Sequence, residues 1–146
     1  MQRRLMHERV ASIVAAWNRR DAEGVVAIAV EDVLWRDVAL PMPLQGREAL
    51  KTLLQGYMTA FPDTHLDVTS ETVYDERLAF EWTATGTHHG PLLGVAPTGR
   101  ATQVYGMTVA VFDDYGRVIE GSSYWNPMAV MQQLGVIPAY EPATAG

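Results

Sequence analysis

The sequence predicts a segregated α+β fold, in which three helices precede one curved antiparallel sheet and a short helix follows it. Over roughly the first 60 residues, apolar side chains recur at helical spacing, interrupted by one strand-like run. From residue 65 to 125, apolar and polar residues alternate as they do in strands. The turn sequences "YDER", "GPLLGVAPTGR" and "DDYG" separate the alternating runs, which supports one sheet of consecutive strands.

Three helices are predicted in the N-terminal part. The first spans residues ~3–19, where five apolar residues share one face: Met6, Val10, Ile13, Val14 and Trp17. Asp21 is a suitable N-cap for a second, shorter helix over residues 22–30. A third helix begins near Arg47 and ends at "FPDT".

Four strands are predicted after the third helix, in the segments "HLDVTSETV", "LAFEWTATGTH", "ATQVYGMTVAVF" and "RVIEGSSYW". In the second of them, Phe80, Trp82 and Ala84 form the set that faces inward. The segment "NPMAVMQQLG" is predicted to be a short helix, with Asn126 as its N-cap and Pro127 at its first position.

The first strand, "EDVLWRDVAL" at residues 31–40, carries an acid in an apolar run. Alternation places Val33, Trp35 and Asp37 on one face and Arg36 on the other. A carboxylate beside large apolar surface must be paired, be protonated or line a cavity. We favour the cavity, and the alternative is a structural carboxylate paired with an arginine or a backbone amide.

Composition restricts the class of protein. A chain of 146 residues, 48% hydrophobic and 19% charged, is expected to form one domain over residues 1–146. The net charge of −6 argues against a nucleic-acid or anionic-membrane partner, which would require clustered lysine and arginine. Cysteine is absent and the N-terminus lacks the apolar core of a signal peptide, so we expect a cytoplasmic protein.

The strand over residues 103–112 carries side chains of unequal size on its two faces. One face carries small side chains and the other large apolar ones: Gly106, Thr108 and Ala110 against Tyr105, Met107, Val109 and Val111. Because helices can cover only one face of such a sheet, the large face needs another cover. A second copy of the chain is the simplest candidate, so we expect a homodimer through the outer face.

Several stretches of the chain together resemble the SnoaL-like polyketide cyclases, a branch of the nuclear transport factor 2-like group: "AWNRRDAEGVVA", "GTHHGPLLGVAPTGR", "VFDDYGRVIE" and "MQQLG". The resemblance covers about residues 3–137, the expected core, and leaves residues 138–146 as a flexible tail. It implies a cone-shaped fold, in which a bent sheet wraps three helices and leaves a deep apolar pocket. It also implies a small-molecule substrate, often handled without a metal or an organic cofactor.

Two catalytic positions of the resembled cyclases are changed in this chain. The general acid/base Asp of those enzymes corresponds to Ser123, and its helper His corresponds to Thr108. Neither hydroxyl exchanges a proton near neutral pH as a histidine or a tuned carboxylate does. The related limonene-epoxide hydrolases use an Asp–Arg–Asp set, whose arginine position is Trp82 and whose acid positions are Ala84 and Ser123. The resemblance therefore transfers neither mechanism directly.

Ketosteroid isomerase, from the same group, gives the more informative comparison. Its general-base Asp corresponds to Asp37, while its oxyanion donors, a Tyr and an Asp, correspond to Ile13 and Thr108. The resemblance thus implies that the base is kept and that the strong acids are missing. A carboxyl group in a tryptophan-lined cavity suits a residue that takes and returns a proton.

The candidate catalytic residues are Asp37 and His88. His88, in "GTHHG", would lie near the pocket mouth as a proton relay or donor, or else be a loop histidine bonded to the backbone. The candidate substrate-binding residues are Trp35, Tyr57, Trp82, Thr108, Ser123 and Trp125. Tryptophans around one pocket suit a flat polycyclic or cation-like ligand, although core packing also explains them. No histidine spacing indicates a metal site.

The function predicted from these residues is cofactor-independent cyclisation or isomerisation of an apolar, polyketide-like molecule in secondary metabolism. Asp37 would take the proton, and His88, Tyr57, Thr108 or Ser123 would stabilise the developing oxyanion. Two alternatives stay open. One is a non-catalytic small-molecule binder, because both cyclase groups are missing, and the other is an epoxide-opening enzyme in which Asp37 holds the water.

Overall fold

The computed structural model describes residues 3–143 and has the predicted α+β architecture. Its elements in chain order are α1 (Arg3–Asn18), α2 (Ala22–Val26), β1 (Ala29–Asp37), β2 (Leu44–Gln45), α3 (Arg47–Ala60), β3 (His65–Tyr74), β4 (Arg77–Thr87), β5 (Ala101–Phe112), β6 (Val118–Trp125) and α4 (Pro127–Gln133). The predicted tail has no helix or strand over residues 138–143, and its residues 144–146 lie outside the described range. No helix within residues 3–143 is long and apolar enough to cross a membrane.

The helix caps follow the local sequence signals. Asp21 caps α2, because its Oδ1 accepts the backbone N–H of Gly24 at 2.9 Å. Asn126 caps α4 in the same way, with the N–H of Ala129 at 3.2 Å. Helix α2 ends four residues earlier than predicted, because the chain from residue 29 onward already pairs in the sheet.

The six strands form one sheet in the order β2-β1-β6-β5-β4-β3. Four of the five strand pairings are antiparallel, as predicted, and the pairing of β1 with β6 is parallel. The parallel pair arises because the chain returns to β1 only after the crossover through α3 and three further strands. Strand β2 was not predicted, since its two residues lie in a Pro-rich segment too short to show alternation.

The hydrophobic core lies between the helices and the inner face of the sheet. Met6 and Val10 of α1 and Leu50 of α3 belong to one buried cluster with Leu78 and Phe112 of the sheet. Burial of each such side chain contributes about 1.5–3 kcal/mol relative to its exposure to water. This packing fixes the helices, and hence their inward side chains, against the sheet.

Strand register places four inner-face residues in a line across the sheet. Asp37 on β1 lies opposite Ser123 on β6, Ser123 lies opposite Thr108 on β5, and Thr108 lies opposite Phe80 on β4. Neighbouring strands are about 4.8 Å apart, so adjacent members of this line can contact each other.

The outer face of the sheet carries the large side chains of β5. Tyr105 is 70% exposed, and Tyr124, which lies opposite Met107 on the neighbouring strand, is 54% exposed. Thr108 and Ala110 point the other way and are buried. The predicted division of β5 into two faces is therefore confirmed, while the homodimer stays a prediction.

Candidate active site

A cavity of about 170 Å³ lies between the helices and the inner face of the sheet. Its wall is mostly apolar, and all four tryptophans line it: Trp17, Trp35, Trp82 and Trp125. The other sequence-derived site residues that line it are Asp37, Tyr57, Thr108 and Ser123. The structure thus brings Asp37 and the six candidate binding residues to one cavity. The size and aromatic character of the wall suit a small apolar ligand.

Asp37 is only 7% exposed and accepts three hydrogen bonds. The backbone N–H of Ala39 and the indole N–H of Trp125 donate to its Oδ1 at 2.9 and 3.0 Å. The phenol of Tyr57 donates to its Oδ2 at 3.0 Å. These donors suit an ionised carboxylate, and Oδ2, with one donor, has the greater acceptor capacity left. The guanidinium of Arg36 lies on the opposite face of the strand, bonded to a glutamate.

Tyr57 and Trp125 hold the Asp37 carboxyl from two directions, one from α3 and one from the end of β6. Their rings meet edge to face, with centroids 5.9 Å apart and planes at 89°. Burial, followed by the charge and the hydrogen bond of Asp37, raises the pKa of the Tyr57 phenol well above its ordinary value. Tyr57 therefore stays protonated and donates to Asp37, rather than to a substrate carbonyl as the sequence suggested.

Beside Asp37, three polar side chains on neighbouring strands are linked by hydrogen bonds across the inner face of the sheet. The indole N–H of Trp82 donates to Thr108 Oγ1 at 3.0 Å, and Thr108 Oγ1 lies 3.0 Å from Ser123 Oγ. We call these three residues the hydroxyl chain. Because Ser123 lies opposite Asp37 in the sheet, the hydroxyl chain ends next to the Asp37 carboxylate.

Two glycines on the inner face make room for two of the tryptophans. A Cβ atom at Gly121 would lie 2.1 Å from the ring of Trp35, and one at Gly106 would lie 2.3 Å from the ring of Trp82. Real Cβ atoms do not approach other atoms so closely. Alternation places Gly106 on the inner face but does not reveal either contact. The available signal is a glycine at an inward position of a strand, which often marks a close approach.

Gly121→Ala is expected to displace the Trp35 ring and to lower the free energy of unfolding by about 1–3 kcal/mol, the usual cost of overpacking. Urea denaturation and near-ultraviolet circular dichroism would measure both changes. Ser122→Ala is the matched control, because Ser122 lies opposite Val109 on the outer face. Equal stability and unchanged aromatic signals in Gly121→Ala would contradict the close contact.

The structure corrects the expected position of His88. The imidazole is fully buried at 0% exposure and is not among the side chains that line the cavity. Its Nδ1 accepts the backbone N–H of Thr98 at 3.1 Å and lies 3.0 Å from the Thr98 hydroxyl. Its backbone also bonds to Gly99 and Arg100, so His88 closes the base of the loop. The loop-histidine alternative describes it, and the expected place at the pocket mouth is wrong.

Within residues 3–143, no three His, Asp or Glu side chains are grouped so that they could hold a metal ion. This distribution does not test the predicted independence from cofactors, which stays a prediction.

Comparison with protein families gives one match. Residues 7–134 match the model of a family described as SnoaL-like polyketide cyclase. No curated protein matches the chain. The family match spans all the residues that line the cavity.

Solved structures give the same fold. AclR, "a putative hydroxylase" from Streptomyces galilaeus, is 31% identical, with a TM-score of 0.80 over 93% of this chain and 86% of that one. A "putative SnoaL-like polyketide cyclase" from Jannaschia sp. CCS1 is 21% identical, with a TM-score of 0.84 over 92% and 94% of the two chains. IdmH, "a putative polyketide cyclase" from Streptomyces antibioticus, is 24% identical, with a TM-score of 0.75 over 89% and 98%.

Proposed function

Since the chain belongs to the SnoaL-like polyketide cyclase family, we propose that it cyclises or isomerises an apolar, polyketide-like molecule by moving a proton. The enzyme would act without a cofactor, in secondary metabolism. The observation that carries the proposal is Asp37, a nearly buried carboxylate in the wall of an aromatic cavity. The ion pairs found within residues 3–143 do not include it, so its charge is available to a ligand.

The reaction would begin at a C–H bond next to a carbonyl group. Asp37 Oδ2 takes the proton, the C–H electron pair forms the double bond of an enolate, and the carbonyl π pair moves to oxygen. In an isomerisation, Asp37 returns the proton to another carbon of the conjugated system. In a cyclisation, the enolate carbon attacks a second carbonyl carbon, and Asp37 gives its proton to the resulting alkoxide. Both routes regenerate the carboxylate and consume no other reagent.

The hydrogen bonds to Asp37 support this role because they fix its orientation before a ligand binds. Tyr57 and Trp125 direct the carboxyl along the cavity wall, and Ala39 anchors Oδ1 from the backbone. A base held in place loses little freedom when the substrate arrives, and such preorganisation lowers the barrier to proton transfer. Tyr57 and Trp125 are therefore positioning residues for Asp37.

The test is deuterium exchange into α-tetralone, a flat bicyclic ketone with protons next to its carbonyl group. The protein and the ketone are incubated in heavy water, and mass spectrometry follows the gain of deuterium. The native chain is expected to exchange these protons faster than an Asp37→Asn variant. Asp32→Asn, which changes an exposed acid of the same strand, is expected to match the native chain. Saturable binding without any exchange would instead support the non-catalytic binder.

A second candidate function comes from AclR, the 31% identical relative described as "a putative hydroxylase". The carbon deprotonated by Asp37 would add to dioxygen, and Asp37 would give its proton to the resulting peroxide anion to form a hydroperoxide. Two molecules of a small thiol would then supply two electrons and two protons, which gives an alcohol, water and a disulfide. Heavy-oxygen-labelled dioxygen distinguishes the two functions, because only hydroxylation places the label in the product.

We also propose that the chain forms a homodimer through the outer face of the sheet, around Val109, Met107 and Tyr105. Val109→Lys is expected to convert a dimer to a monomer, because a lysine would bury its charge in an apolar interface. Analytical ultracentrifugation would measure the change. Val136→Lys is the matched control, since Val136 is 48% exposed and follows α4, outside the strands of the sheet. An unchanged dimer in Val109→Lys would exclude this interface.

A further inference from the structure

In the hydroxyl chain, the direction of each hydrogen bond depends on which of the side chains can donate a proton. The indole N–H of Trp82 can only donate, so Thr108 Oγ1 accepts it. Thr108 and Ser123 each have one hydroxyl proton, and either could donate to the other. Within residues 3–143, the Thr108 hydroxyl has only these two hydrogen-bond partners.

Burial decides between the two directions. Either direction leaves one hydroxyl proton without an acceptor among residues 3–143, on Thr108 or on Ser123. Thr108 is 7% exposed, whereas Ser123 is only half-buried. Leaving a hydroxyl proton without an acceptor is less favourable at the more deeply buried of the two residues. The favoured order is therefore Trp82 to Thr108 to Ser123. In that order no side chain or backbone group within residues 3–143 accepts the Ser123 hydroxyl proton, and Ser123 lines the cavity.

Register places this free donor next to the base. Asp37 and Ser123 are partners in the parallel pairing of β1 and β6, and both line the cavity. Neighbouring strands are about 4.8 Å apart, so a ligand can reach both side chains with adjacent atoms. A proton acceptor and a proton donor at this spacing match a C–H group and the carbonyl oxygen beside it.

We propose that Ser123 donates a hydrogen bond to the carbonyl oxygen of the substrate while Asp37 removes the proton from the adjacent carbon. This inference rests on the proposed function and names the residue that holds the carbonyl oxygen. Ser123 is the catalytic donor, whereas Thr108 and Trp82 are positioning residues that act through it. Hydrogen bonds in series strengthen one another, so the two residues behind Ser123 make it a better donor to a developing oxyanion.

The proposal also predicts which ligands the cavity rejects. A hydrocarbon of the same shape would leave the Ser123 donor without a partner, and a site built to hydrogen-bond a ligand discriminates against such analogues. The ketone is therefore expected to bind more tightly than tetralin, which has the same ring system without the carbonyl oxygen.

The test uses α-tetralone as the probe and isotope-edited infrared spectroscopy of its carbonyl stretch. In the native protein, the hydrogen bond from Ser123 is expected to lower the stretching frequency of the bound ketone. Ser123→Ala is expected to lose this shift, and its rate of deuterium exchange is expected to fall about 10²-fold. Ser122→Ala, on the outer face of the same strand, is expected to leave both readouts unchanged.

The positioning role of Thr108 and Trp82 is tested by how much of the frequency shift remains when each is substituted. Thr108→Val and Trp82→Phe are expected to lose part of the frequency shift, and Thr108→Ser is expected to restore it by restoring the hydroxyl group. A merely structural role for Thr108 would change stability without changing the carbonyl frequency of the bound ketone.

Three outcomes would overturn the inference: no saturable binding of the ketone, equal affinity for ketone and tetralin, or an equal carbonyl frequency in native and Ser123→Ala proteins. Failure of the proposed function is a different result. In that case the native protein shifts the carbonyl frequency but exchanges no deuterium. Asp37→Asn separates the two roles, since it is expected to keep the frequency shift and lose the exchange.

Discussion

Replacing Asp37 by asparagine is expected to lower the rate of proton transfer by about 10²–10⁴-fold, the usual contribution of a general acid–base group. Ligand affinity is expected to remain nearly unchanged. Asparagine has a similar shape, and its carbonyl oxygen can still accept from Ala39 and Trp125, while its amide N–H can donate to the Tyr57 oxygen. The amide cannot act as the base, however, so the variant separates catalysis from binding.

Isothermal titration with α-tetralone and the deuterium-exchange rate would measure affinity and turnover on the same protein. Tyr57→Phe is an informative companion, because it removes one donor from Asp37 and leaves the carboxyl group in place. Its exchange rate is expected to fall by less than that of Asp37→Asn. If Asp37→Asn exchanged protons as fast as the native chain, the carboxylate would be structural.

Gly90→Ala is expected to lower the free energy of unfolding by about 1–3 kcal/mol, as overpacking of a tight contact does. A Cβ atom at Gly90 would lie 2.3 Å from the carbonyl oxygen of Thr59 and 3.1 Å from Cα of Ala60. Both are backbone atoms in the last turn of α3, so they cannot rotate aside as a side chain can. The N–H of Gly90 also donates to Ala60 O at 3.2 Å, which fixes the loop in this position.

Gly56→Ala is the matched control and is expected to have the opposite sign. Gly56 is exposed within α3, and a Cβ atom there would meet nothing within 4 Å. Alanine in a helix interior is favoured over glycine by about 0.5–1 kcal/mol. Thermal unfolding of both variants would show a lower Tm for Gly90→Ala and a higher Tm for Gly56→Ala. A lower Tm in both would point to a general sensitivity of α3 to substitution instead.

Residues that face the cavity from the strands could be identified from the sequence. Alternation depends only on the local backbone, so the inward positions of Trp35, Asp37 and Trp82 follow from the period of two. Two observations predict the cavity: a carboxylate on the same face as a tryptophan, and the resemblance to the SnoaL-like cyclases, which implies a deep apolar pocket. The structure places Asp37 in the cavity wall, paired with neutral donors.

The partners of these residues could not be identified in the same way. Tyr57 reaches Asp37 from a helix, and Thr108 meets Ser123 only because of the register between β5 and β6. Periodicity fixes the face on which each residue lies, but it does not tell which residue of the neighbouring strand lies opposite it. His88 shows the same limit, because the composition of a Gly/Pro loop does not tell its base from its tip.

The parallel pairing of β1 with β6 has a consequence for the order of folding. Strands β3, β4 and β5 can pair with their sequence neighbours as soon as they leave the ribosome, and β1 can pair with the short β2, whereas the pairing of β1 with β6 waits for almost the whole chain. Contacts between distant segments form slowly, because the intervening chain must first be ordered. The active centre therefore assembles last, and a nascent chain that ends before β6 would already hold the base but not its neighbouring donor.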